Sequence, residues 1–125
     1  MFNGWYCTEA PWIALGCEDE VVELFRMREA LKPMLREAYD RYRKDGTPPV
    51  RALVCDYTSD RATWAIDDEY LFCESLLVAP MVAGEEQRRV YLPAGEWVDY
   101  FTGESVASGW LEYRGSGIPV YRKVK

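Results

Sequence analysis

Apolar residues recur every three to four positions along residues 18–45, then give way beyond Gly46-Thr47-Pro48-Pro49 to short runs broken by turns. A period of 3.6 and a period of 2 do not coexist in one element. The chain therefore reads as helix first and strands after, an α+β order or the junction of two domains, with the boundary at Gly46-Thr47-Pro48-Pro49. In the helical stretch Glu18, Asp19 and Glu20 sit where a helix N-terminus favours acids. Val21, Leu24, Phe25, Arg28, Leu31, Leu35, Ala38 and Tyr42 form one amphipathic stripe, and Asp45-Gly46 stops it. Pro33 lies inside this run. It removes a backbone donor and crowds the preceding turn, which predicts a kink near residues 29–33 or, alternatively, two separate helices.

After Pro49 the pattern predicts a mostly buried strand over Val50–Tyr57 and a turn at Ser59-Asp60-Arg61. A short helix is expected from Trp64 to Tyr70, with Thr63 as its N-cap. Strands follow at 75–80, 88–92, 96–101, 110–114 and 118–123, with turns at Gly84-Glu85-Glu86-Gln87, Pro93-Ala94-Gly95 and Thr102-Gly103-Glu104. This spacing predicts an antiparallel sheet joined by hairpins. The first sixteen residues hold no period and read as a loop punctuated by Gly4, Pro11 and Gly16. They nonetheless carry Phe2, Trp5, Tyr6, Trp12 and Ile13, more apolar surface than a free terminus normally shows.

Charge and composition exclude several functions. Twenty-one acids against fifteen bases leave −6 over 125 residues, so no basic face exists in bulk to release counterions from nucleic acid or to sit on an anionic membrane. The basic stretches Arg41-Tyr42-Arg43-Lys44 and Arg122-Lys123 read as solvated helix and tail charges. No apolar run nears the ~18–20 residues of a membrane helix. The opening MFNGWYCTEAPW lacks the basic start of a secretory signal, and a cytoplasmic location is expected. Histidine is absent, so Ser-His-Asp and Cys-His catalysis cannot be assembled from these residues. Cys7, Cys17, Cys55 and Cys73 contain no C-x-x-C pair. Two disulfides are arithmetically open, and free thiols in a reducing compartment are the plainer expectation.

Specific blocks carry a family resemblance. Residues 64–80, WAIDDEYLFCESLLVAP, resemble the W-x-I-D-x-x-Y-x-F-G-D-S-L-L-V-A-P block of glycoside hydrolase family 31, which holds α-glucosidases and α-xylosidases. Residues 89–99, RVYLPAGEWVD, followed by Thr102-Gly103, resemble its V-Y-L-P-x-G-x-W-x-D and T-G. Residues 28–35 are similar to R-x-x-L-x-P-Y-L, and residues 46–51 to G-x-P-x-x-R-P-L. The resemblance implies that residues 1–46 are the last loop and helix of a catalytic (β/α)₈ barrel. It implies that residues 47–125 begin an antiparallel β-sandwich, incomplete because Ile118-Pro119-Val120-Tyr121 matches only the start of I-P-V-F-x-R-A-G.

The implied activity is retaining hydrolysis of α-glucosides or α-xylosides, which uses two carboxylates about 5–5.5 Å apart. The family's catalytic aspartates lie earlier, one of them in a W-x-D-M-N-E-like segment that does not occur here, so no catalytic residue is assigned. Asp67-Asp68 with Glu69 read as the acidic first turn of a short helix, and Asp56 and Asp60 as capping or turn residues. Barrel active sites are built from loops, and the family often places His-Gly where this chain has Asn3-Gly4. Asn3 reads either as a sugar ligand or as a turn residue, and Trp5 and Trp12 either stack on sugar or pack against neighbouring loops. Arg51 is expected to pair with a buried acid or carbonyls, and Trp97 and Tyr100 to fill the sandwich core or else form a separate carbohydrate face. Cys73-Glu74 replaces the family's Gly-Asp, so local geometry there is expected to differ. No cofactor or metal is implied. The expected partners are a carbohydrate substrate and the rest of the barrel, with self-association of the isolated piece. A non-catalytic carbohydrate-binding or accessory module is the alternative.

Overall fold

The computed structural model describes residues 10–82 and 84–124. The chain divides into two compact units, Met1–Arg36 and Glu37–Lys125. In the first, where a loop was expected, Pro11–Leu15 forms a one-turn helix, α1, with proline in its first turn. One turn is too short to display a period, which is why the sequence pattern hides it. Gly16 ends it with φ 65°, while the Cys17 N–H bonds the Trp12 carbonyl at 3.0 Å. Trp12 meets Phe25 edge to face, with centroids 6.2 Å apart.

The helix expected over 18–45 is α2, Glu18–Asp45, a single element of 28 residues with Pro33 inside it. The two-helix alternative does not form. Proline removes one rung of a ladder this long, and the rungs on either side keep the chain helical. Gly46, φ 80°, stops α2 by donating to the Tyr42 carbonyl at 2.9 Å. Of the expected apolar stripe only Ala38 is buried; Leu24 and Phe25 are 59% and 51% exposed.

The second unit is built on strands. Its larger sheet has six, all antiparallel, in the order β1 (Val50–Ala52), β2 (Tyr70–Phe72), β3 (Leu76–Val78), β8 (Val120–Lys123), β5 (Trp97–Asp99), β6 (Ser105–Val106). The smaller pairs β4 (Gln87–Leu92) with β7 (Gly109–Arg114), antiparallel. Leu71 opposes Leu77, and Leu77 opposes Tyr121, so three neighbouring strands aim one row at the core. Val90 and Leu92 of β4 bring the facing side, and Leu53, Ala79 and Trp97 complete the cluster. Trp97 is buried, with its indole N–H donated to the Pro93 carbonyl at 2.8 Å, so the core reading of Trp97 holds and the carbohydrate-face alternative for it does not. Tyr100 is only half-buried and packs edge to face on Phe101.

Two expectations need correction here. The strand over Val50–Tyr57 stops at Ala52, where a 3₁₀ turn over Leu53–Cys55 takes over and sinks Leu53 completely. The helix over Trp64–Tyr70 is instead a 3₁₀ segment at Arg61–Ala65, and Tyr70 already belongs to β2. Its cap is Asp60, whose carboxylate accepts the Ala62 N–H at 3.1 Å. Thr63 sits buried within the segment and donates its hydroxyl to the Asp60 carbonyl at 2.8 Å. Polar side chains close on their own backbone here, and such local bonding favours a tight turn over an extended α-helix.

Candidate functional site

Asn3 and Trp5, the two candidate sugar contacts, lie outside the described residues. Asp67 and Asp68 are exposed, in the irregular link before β2 rather than in a helical turn. Asp56 does close the 3₁₀ turn over Leu53–Cys55, its N–H bonding the Leu53 carbonyl at 3.2 Å, and its carboxylate is also an ion-pair partner. What the fold brings together are two polar clusters in the second unit.

The first is centred on Arg51 of β1. Its guanidinium grips Asp56 through two bonds, 2.6 Å from Nε and 2.5 Å from Nη2. It also donates to the Cys73 carbonyl at 2.7 Å and the Pro48 carbonyl at 3.3 Å. The carbonyl pairing expected of Arg51 is present, while its acid, Asp56, is exposed and not buried. The side-chain bond from Arg51 holds the Asp56 carboxyl below its usual range, and the same bond raises Arg51. Cys73 adopts φ 55°, the left-handed conformation that glycine takes without strain. It is held there from both sides: its N–H bonds the Pro49 carbonyl at 2.6 Å and its carbonyl serves Arg51. Burial pushes its thiol up, so the sulfur is a packing atom, not a nucleophile.

The second cluster is centred on Glu69, which the residue pattern places in the acidic first turn of a short helix and which the fold instead buries. Glu69 is buried, and its Oε1 accepts the Tyr91 N–H at 2.8 Å. Its Oε2 is buried without a partner. Arg88 Nη2 lies 3.7 Å from Oε1, but is engaged by Asp68 Oδ2 at 2.8 Å, and Arg88 Nη1 donates to the Pro80 carbonyl. Burial, opposed by the Tyr91 bond and the Arg88 charge, raises the Glu69 carboxyl to about 7. Tyr91 also reaches Asp60, with its hydroxyl donated to Oδ2 at 2.7 Å, and that bond raises the phenol. The cluster floors an open cleft of about 600 Å³ bordered by Ile66, Asp68, Tyr70, Met81 and Arg88.

This arrangement cannot supply a hydrolytic carboxylate pair. Asp68 is tied to Arg88, and the Glu69 side chain, 1% exposed, cannot reach a glycosidic oxygen. No cluster of acids or cysteines suited to a metal ion occurs among the described residues. No helix among them is long and apolar enough to cross a membrane. The polar clusters therefore tie backbone segments together, and the chemistry of the whole protein has to be sought in its relationships.

Residues 46–124 match the glycosyl hydrolase family 31 C-terminal domain. The chain is 39% identical over 97 residues to the 1,3-alpha-isomaltosidase of Kribbella flavida, covering 74% of this chain and 13% of that protein. It is 35% identical over 104 residues to alpha-glucosidase 2 of Bacillus thermoamyloliquefaciens, covering 81% of this chain and 13% of that protein. Among solved structures it resembles a GH31 alpha-xylosidase from a soil metagenome complexed with xylose, with a TM-score of 0.76 and 32% identity, over 79% of this chain and 15% of that one. The chain thus spans about an eighth of the length of the curated relatives it matches. An antiparallel two-sheet unit with these strand blocks, matched by the family's C-terminal domain over most of its length, makes the chain a member of glycosyl hydrolase family 31.

Proposed function

We propose that this chain is the C-terminal portion of a retaining α-glycosidase that hydrolyses α-glucosides or α-xylosides, and that it carries none of the catalytic carboxylates itself. The observation behind this reading is the match of residues 46–124 to a domain that accompanies glycosidase catalytic machinery. On this reading residues 1–46 are the last loop and helix of the catalytic barrel, and residues 47–125 open the sandwich that buttresses it. The alignment to the Bacillus alpha-glucosidase, at 81% of the chain, is longer than residues 46–125 alone can supply and so reaches into α2. The exposed Leu24 and Phe25 are then the face α2 turns to the remainder of the barrel, and the isolated piece self-associates through it. Asn3 and Trp5 are the contacts to substrate. Free thiols at Cys17, Cys55 and Cys73 accord with a cytoplasmic setting.

The test is expression of the entire reading frame that contains these residues, beside the 125-residue chain alone. The long protein is expected to release 4-nitrophenol from 4-nitrophenyl α-glucoside or α-xyloside. Proton NMR is expected to show the α-anomer as first product, and the short chain to be silent. A reading frame without upstream aspartate motifs, together with glycan affinity in the 125-residue chain, would establish the accessory-module alternative instead.

A further inference from the structure

The two sheets of the second unit are tied through one buried carboxyl. Glu69 leads into β2 of the six-stranded sheet, and its Oε1 takes the Tyr91 N–H of β4 in the two-stranded sheet. That N–H would otherwise be an orphan donor on the strand edge. The other oxygen, Oε2, is sealed from solvent with nothing to bond. A neutral carboxyl tolerates such a place, because the oxygen bearing the proton needs no counter-charge; an ionised one does not. Arg88 of β4 does not resolve this, being 3.7 Å away and already engaged by Asp68 and the Pro80 carbonyl. The Tyr91 N–H and the Arg88 charge favour the ionised form but are outweighed by burial, Asp68 adds negative charge beside it, and Tyr121 of β8 is a neutral phenol pushed up to about 12.

We propose that Glu69 is a proton-operated latch on the seam between β2 and β4: protonated, it holds the Tyr91 N–H and keeps the seam closed; ionised, it draws water to Oε2 and the seam loosens. The switching range sits near neutrality because the carboxyl is raised to about 7. Between the ordinary carboxyl value of 4.5 and about 7 each pH unit shifts the closed-to-open ratio of the seam by up to about tenfold, and above that it shifts no further.

The experiment is hydrogen exchange of the Tyr91 amide in the full chain, followed by NMR from pH 5.5 to 8.5 and expressed as a protection factor. Protection is expected to fall by up to about tenfold per pH unit from pH 5.5 to about 7 and to level off above it. Core amides such as Leu77 are expected to hold. In Glu69→Gln, whose amide oxygen can still accept from Tyr91 but has no proton to lose, the Tyr91 protection is expected to be flat. Protection that does not change with pH in the wild type, that falls equally in Glu69→Gln, or that falls together with Leu77 overturns the latch. A ¹³C titration of the Glu69 carboxyl decides the matter even if the variant fails to fold. A midpoint near 7, where the loss of protection levels off, supports the proposal; a midpoint near the ordinary 4.5 sinks it.

Discussion

Arg51 and Glu69 are both sunk in the second unit, at 7% and 4% exposure, yet the fold treats them differently. Arg51 spends its guanidinium on a bidentate carboxylate and two carbonyls. Glu69 has one hydrogen bond, a distant cation and an empty oxygen. Burying a charge is tolerable only when its hydrogen-bonding capacity is met, so the same depth that makes Arg51 a rivet makes Glu69 a titrating group. The direction of each shift follows. A saturated partner holds Asp56 ionised to lower pH than an ordinary carboxyl, while an unsaturated pocket favours proton uptake by Glu69.

Breaking the saturated side gives the largest effect. Arg51→Ala empties the space of a buried side chain and leaves the Cys73 carbonyl without its donor, while the exposed Asp56 returns to water, and is expected to cost about 2–4 kcal/mol in urea unfolding. Glu69→Gln probes the unsaturated side. The raised pKa means the folded state holds a proton that the unfolded state releases near 4.5, so wild-type stability falls as pH climbs from there through 7. The variant is therefore expected to match the wild type near pH 5 and to exceed it by about 1–3 kcal/mol at pH 8, measured as the difference in urea midpoint. Asp56→Asn is the acid-side counterpart, at about 1–2 kcal/mol near neutral pH. Because the Asp56 pKa is lowered, the stability it contributes is present above 3.8 and disappears as pH falls through its folded value, so the variant is expected to lose part of the acid limb of the stability curve. Tyr91→Phe, which frees Asp60 Oδ2 at a half-buried site, should cost about 1 kcal/mol by the same assay. Smallest of all, Leu24→Ser on the exposed side of α2 is expected to leave the unfolding midpoint within about 0.5 kcal/mol while lowering the self-associated fraction in analytical ultracentrifugation.

The helix-then-strands order and strands β3, β4, β5, β7 and β8 were legible because their apolar runs are bounded by Pro, Gly or charge. Arg51 was legible because an arginine in an apolar strand has to find acceptors. What escaped the reading shares one cause: short elements held by side chains, not by period. The 3₁₀ turns at Leu53–Cys55 and Arg61–Ala65 are each too brief to show periodicity. Strand β2 was absorbed into an expected helix, and with it went Glu69. The clue was present in the alternation: Glu69, Leu71 and Cys73 are all buried while Tyr70 and Phe72 are not, and a period of 2 across these residues puts the carboxyl on the core side. Cys73 illustrates the opposite failure. The family pattern has glycine there, and a changed local geometry was expected. The backbone instead keeps a glycine-like φ with a side chain attached, because both of its peptide groups are already claimed.

The position of β8 has a consequence for how the sheet is made. It lies between β3 and β5, so Leu77 waits for Tyr121 and Val98 waits for Arg122. During synthesis β1, β2 and β3 emerge as a meander of neighbours, and β5 and β6 as a separate hairpin. Neither is part of one continuous sheet until β8 threads between them. The pairing that unites the unit is thus among its longest-range, placing the slow step of assembly late and leaving the open edge of β3 exposed to other chains meanwhile.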